Sequence, residues 1–176
     1  MRKLLLILLV LLLPTICLSC VFNKDNEHKD WNTYTDNRFK FSIQYPKNWV
    51  AEFWKDKTEP DPYFGRLADY SNGLIIEFAY YKLDKGENLD TFVRHTVNKH
   101  DKFYFKDTKK INNVSMIRYG VHLYLEDGES YVLRQFIRVE KENIIDLMSD
   151  LPQKSMEKKD DKYKLILEIM DTFKKW

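Results

Sequence analysis

Apolar and polar residues alternate with period two from residue 39 to 45. Phe39, Phe41, Ile43 and Tyr45 are interleaved with Lys40, Ser42 and Gln44, a spacing that predicts a strand. Pro46 ends it, because proline offers no N–H to a ladder. Pro46-Lys47-Asn48 turns into a second short strand at 49–53. Residues 54–69, with Pro60 and Pro62, read as a long loop, Ser71-Asn72-Gly73 as a turn and 74–81 as a strong strand. The period then changes. Asn88 is placed to cap a helix reaching about residue 101, with Leu89, Phe92, Val93, Thr96, Val97 and His100 on one face. Strands follow at 103–110, 114–126, 129–140 and 144–150, with turns at Asn112-Asn113, Asp127-Gly128 and Glu142-Asn143. A last helix over 158–174 carries Tyr163, Ile166, Leu167, Met170 and Phe173 on its buried stripe.

The pattern also suggests a register for the hairpin of strands 114–126 and 129–140. Ile117, Tyr119, Val121, Leu123 and Leu125 form one face of its first strand, and Tyr131, Leu133, Ile137 and Val139 one face of its second. All are odd-numbered, so these faces coincide only if an odd number of residues connects the strands. A three-residue loop, Glu126-Asp127-Gly128, meets that condition. The even-numbered face then gathers Arg118, His122, Arg134 and Arg138, with Tyr124, Val132 and Phe136 among them.

The first 30 residues follow a different plan. Arg2 and Lys3 precede an uncharged run over 4–13, which at about ten residues is half the roughly 20 that a membrane-spanning helix needs. Pro14 and Thr15 break it, and Ile16-Cys17-Leu18-Ser19-Cys20 follows. This segment resembles a lipobox, with Ser19 before a cysteine that receives diacylglycerol, although Cys17 and Leu18 depart from the usual residues. It implies a signal peptide at 1–19 and a lipid anchor on Cys20 that holds the chain to the outer side of a bacterial cell membrane. A plain secretory signal and an uncleaved N-terminal anchor are the competing readings. Residues 20–30 are mostly polar and read as a tether to a domain at 31–176.

Loss of the leader changes the charge. The whole chain has 29 Lys and Arg against 27 Asp and Glu; without Arg2 and Lys3 the two are equal, so overall charge makes no case for nucleic acid. Both cysteines are also accounted for, Cys17 in the leader and Cys20 under lipid. Stability must therefore come from a core rather than a disulfide.

Residues 39–49, Phe-Lys-Phe-Ser-Ile-Gln-Tyr-Pro-Lys-Asn-Trp, resemble the opening of PsbP-like domains, in which a strand ending in Tyr-Pro is followed shortly by Trp. The order of strands and helices behind it is similar over 31–176. The resemblance implies an α+β fold, an antiparallel sheet of about six strands flanked by helices in an α/β/α sandwich. It assigns Tyr45, Pro46 and Trp49 to the fold rather than to a site. Photosystem subunits, a nuclear-import factor and many bacterial lipoproteins share this scaffold, so it implies no activity.

No constellation for catalysis stands out. His95 and His100 are five apart, about 140° around a helix, and cannot share a metal as an i, i+4 pair could. No serine sits in a nucleophile elbow, five glycines build no phosphate loop, and Glu59 with Asp61 reads as a polar loop before a calcium site. No metal, cofactor or enzymatic activity is expected. Arg118, His122, Arg134 and Arg138 remain the candidate partner-binding residues, since arginine beside aromatics is common in interface hot spots. The competing expectation is a sheet face covered by helices, its arginines reaching acidic neighbours such as Glu77. The aromatic loop with Trp54, Tyr63, Phe64 and Tyr70 is a second candidate. These features predict a non-catalytic binding or accessory module of the cell envelope with an unknown protein partner; the alternative is a chaperone or assembly factor for membrane or secreted proteins.

Overall fold

The computed structural model describes residues 28–54, 62–96, 102–111, 114–125 and 128–176. The leader, Cys20, most of the tether, Glu59, Asp61, His100 and the Asn112-Asn113 turn lie outside them. Residues Trp31–Trp176 form one compact unit that holds every described strand and both clusters of buried side chains, so this part has what it needs to fold by itself.

Its centre is a seven-stranded, wholly antiparallel sheet, ordered β3-β4-β5-β9-β8-β7-β6. The strands are β3 (Val50–Phe53), β4 (Tyr63–Asp69), β5 (Leu74–Lys82), β6 (Lys102–Ile111), β7 (Val114–Leu125), β8 (Gly128–Arg138) and β9 (Asn143–Asp150). A smaller sheet, β1 (Asn32–Asp36), β2 (Phe41–Tyr45) and β10 (Lys174–Lys175), is ordered β1-β2-β10. Three helices among the described residues pack with them: α1 (Leu89–Thr96), α2 (Gln153–Lys158) and α3 (Asp161–Asp171). The fold is thus richer in sheet than the expected sandwich, with two sheets in place of one.

One face of the large sheet meets the small sheet and the two C-terminal helices. Phe41, Ile43, Phe78, Leu133, Ile145, Leu147, Ile166, Met170 and Phe173 meet there. The opposite face meets α1 chiefly over β7 and β8, through Leu89, Val93, Ile117, Tyr119, Val121, Val132 and Phe136, and Phe92 of α1 reaches Tyr81 of β5. The Tyr-Pro-x-x-Trp element is structural: the Trp49 N–H donates to the Pro46 carbonyl at 3.0 Å and its side chain is buried.

Local signals explain most elements. Asn88 caps α1 by accepting from the Thr91 N–H at 2.9 Å. The helix expected over 158–174 is α3, started by Asp160, which accepts from the Tyr163 N–H; the short α2 before it was not expected and ends where Lys159 turns left-handed at φ 50°. β4 is a buried strand where a loop was expected. A bulge between Tyr63 and Gly65 shifts its register and breaks the alternation that would have revealed it.

Gly65 has a packing role. It lies opposite Phe53, whose ring occupies the space a Cβ would need and stacks on Tyr34 with centroids 3.5 Å apart. Gly65→Val should push that ring off Tyr34 and lower stability by about 1–3 kcal/mol; an unchanged urea midpoint would contradict this account.

Candidate functional site

The register of the β7–β8 hairpin decides where the candidate residues go. Leu125 pairs with Gly128, Tyr119 with Arg134 and Arg118 with Gln135. Two residues, not three, connect the strands. Odd positions of β7 therefore share a face with even positions of β8. Arg118 and His122 lie on one side of the sheet and Arg134 and Arg138 on the other, so the single basic face does not exist. The parity argument failed because both strands are covered on both sides, where apolar residues need not alternate.

Two of the arginines are buried and committed to the fold. Arg118 is 2% exposed. Its Nε donates to Gln135 Oε1 at 2.8 Å and its Nη2 to Asp171 at 2.6 Å, while Gln135 donates to the Met170 carbonyl at 3.1 Å. The cation thereby fixes the C-terminal end of α3 to the sheet, where the helix dipole favours positive charge. Arg134 pairs with Asp146, whose side chain is completely buried, and its guanidinium lies 4.7 Å from the Phe136 ring centroid. Burial pushes the Asp146 carboxyl above the usual carboxylate range, against the pull of Arg134. Burial, with Asp146 adding to it, pushes the Tyr81 hydroxyl up to about 12. Arg138 donates from Nε to the Lys141 carbonyl at 3.1 Å and holds the turn before β9.

His122 is also buried, at 6% exposed, but it lies directly beneath an exposed ring. It lies near the tip of the hairpin, between Tyr124 and Tyr131, each with its ring centroid 4.3 Å away. Tyr131 in turn contacts Tyr104 at 6.0 Å, and the Lys102 ammonium is 6.0 Å from the Tyr104 centroid. Glu129 approaches His122 Nε2 to 3.1 Å, without hydrogen-bond geometry. Burial, then Glu157, raises the Tyr104 hydroxyl. Tyr124, 52% exposed, presents the outer face of this stack. Large amphipathic rings with few rotatable bonds suit contact with another protein. Tyr104 and Tyr131 were not singled out from sequence; correct parity would have put Tyr131 beside His122.

The aromatic loop divides. Phe64 is buried in the core, whereas Trp54 and Tyr70 remain exposed. The Tyr70 hydroxyl donates to Glu52 at 3.0 Å, and Arg66 Nε donates to the same carboxylate at 2.5 Å. These bonds hold Glu52 below the usual carboxylate range. Among the described residues no three His, Cys, Asp or Glu side chains are placed to hold a metal, and no helix is long and apolar enough to cross a membrane.

No family model and no curated protein matches the chain. Solved structures do. The cyanobacterial PsbP, CyanoP, from Synechocystis superimposes with a TM-score of 0.60 at 8% identity, over 84% of this chain and 93% of the other. The domain has the PsbP-like fold. A structure from Bacteroides thetaiotaomicron gives 0.52 at 10% identity; 84% of this chain matches 49% of that one, so it spans about half of that protein. LpqN of Mycobacterium tuberculosis, described as involved in cell envelope biogenesis, gives 0.50 at 9% identity over 82% and 84% of the two chains. At these identities the likeness is one of fold, and the PsbP-like scaffold carries no site from one member to another.

Proposed function

We propose that the chain is an extracytoplasmic lipoprotein, anchored through Cys20, that works as a non-catalytic accessory module by binding another protein of the cell envelope. The observation that carries this reading is the stack Tyr124–His122–Tyr131–Tyr104 at the hairpin tip, in which exposed Tyr124 covers a buried His122 and two half-buried tyrosines. The leader, with Ser19-Cys20 behind a short apolar run, supports the location, and an envelope-associated neighbour in fold agrees with it.

Two measurements test the proposal separately. A labelled lipid precursor should mark the wild-type protein and not Cys20→Ala; equal labelling would remove the anchor. A photocrosslinker at position 124 should capture one discrete partner from membranes, and Tyr131→Ala should reduce capture by the same reporter at least fivefold with the fold intact. Capture that ignores Tyr131 would show that the stack is not the binding surface.

The part of the large sheet that no described helix packs against favours the alternative. Val50 and Tyr70 are exposed there, beside a shallow cavity lined by Ile75, Glu77 and Met148. A chaperone or assembly factor would use such a face for many unfolded clients, and Val50→Glu would then suppress binding of a denatured substrate while leaving capture at position 124 unchanged.

A further inference from the structure

We infer that the end of the domain bearing Lys40, Lys141, Lys174, Lys175 and Trp176 is a contact surface for anionic phospholipid headgroups. The topology brings these residues together from three distant parts of the chain. β10 pairs with β2, placing Lys174 opposite Ser42 and Lys175 opposite Phe41. The Trp176 N–H then donates to the Lys40 carbonyl at 3.2 Å. Lys175 also lines a shallow groove with Arg138, Glu140 and Lys141. Ser115 is on the same groove and pairs with Lys110 on the edge strand β6.

The cluster is a local excess in a chain that is otherwise balanced. Along the groove Arg138, Lys141 and Lys175 meet a single carboxylate among its lining residues, Glu140. Glu140 is already engaged, accepting from the Asn143 amide at 2.9 Å. No carboxylate among the described residues pairs with Lys40, Lys110, Lys141, Lys174 or Lys175. Lysines brought near one another by the pairing of β10 with β2 and by the groove, and without a paired carboxylate among the described residues, form a field suited to phosphate.

Trp176 selects a membrane over other polyanions. It is 54% exposed next to the lysines, and an indole beside ammonium groups is the arrangement that settles at a bilayer interface. The choice of a membrane rests on the anchored reading above. The eleven residues from Cys20 to Asp30 can span at most about 36–40 Å. A tether of that length keeps the domain close to whatever bilayer holds the lipid.

The test uses residues 20–176 with Cys20→Ser, which removes the lipid and keeps the folding unit. Vesicles of phosphatidylglycerol and phosphatidylcholine should sediment the protein, pure phosphatidylcholine vesicles should not, and 0.5 M salt should release it. Trp176 emission should shift to the blue on the anionic vesicles, a change lost in Trp176→Phe. Lys141→Gln/Lys174→Gln/Lys175→Gln, on exposed or half-exposed side chains, should weaken partition on the order of a hundredfold with an unchanged urea midpoint. Equal binding to both vesicles, wild-type binding by the triple variant, or binding to heparin without binding to vesicles would each overturn the assignment. Because lipid attachment is absent from this experiment, its failure stands apart from any failure of the Cys20 labelling.

Discussion

Asp146→Ala should destabilise the domain by about 3–5 kcal/mol, because it leaves the Arg134 guanidinium buried without its counter-ion. Replacing both partners, Arg134→Met with Asp146→Leu, should restore most of that loss. The two results together separate a pair that stabilises the fold from one that only completes it. Asp146 is wholly buried and one of its oxygens, Oδ1, finds no hydrogen-bond partner among the described residues. Desolvation therefore outweighs the attraction of Arg134, and the carboxyl is held above its ordinary range. The sign follows. A carboxyl that binds its proton more tightly folded than unfolded loses stability as pH rises from the ordinary carboxylate range through its folded value. The apolar pair removes that contribution, so its stability should fall less over that window than the wild type's. Urea titrations at a series of pH values measure both effects. An Asp146→Ala variant as stable as wild type would show that Arg134 escapes to solvent instead.

The second large effect belongs to the junction of the two sheets. Phe41 sits in the middle strand of the small sheet, fully buried. Its ring centroid lies 5.0 Å from that of Phe173 and 6.1 Å from that of Phe78. It is thus shared by the small sheet, the C-terminal segment and the large sheet. Phe41→Ala should cost about 3–5 kcal/mol, the transfer of the ring plus the cavity it leaves. Loss should also be uneven. Amides of β1, β2 and β10 should exchange faster relative to wild type than those of β8 and β9, which pair on both sides within the large sheet. Uniform loss of protection would show that the small sheet has no separate response.

Both experiments concern residues that the sequence treated differently. Phe41 was legible: alternation over 39–45 identified a strand and its buried side, and Tyr45, Pro46 and Trp49 pointed to the PsbP-like scaffold. Asn88 announced the start of α1 through its side chain. Such features are local, since a cap, a proline or a period of two acts within a few residues. They were enough to give an α+β fold built on an antiparallel sheet, and most element boundaries within a few residues.

Arg134 was identified as a candidate, but its surroundings were not. Whether Arg118, His122, Arg134 and Arg138 share a face depends on whether two or three residues close the β7–β8 turn. When both faces of a strand are buried, the pattern of apolar residues does not choose between those registers. Only the pairing of Tyr119 with Arg134 and the layers above and below settle it. The same holds for β4, hidden by its bulge, and for β10, two lysines that become a strand only because β2 offers them an edge. The leader pattern, the strand and helix signals and the lack of a recognisable catalytic motif are all readable from the order of residues. Tertiary structure alone decided which charges are buried as struts and which aromatic and basic groups meet at the surface, because those are questions of register and layer contact between residues far apart in the chain.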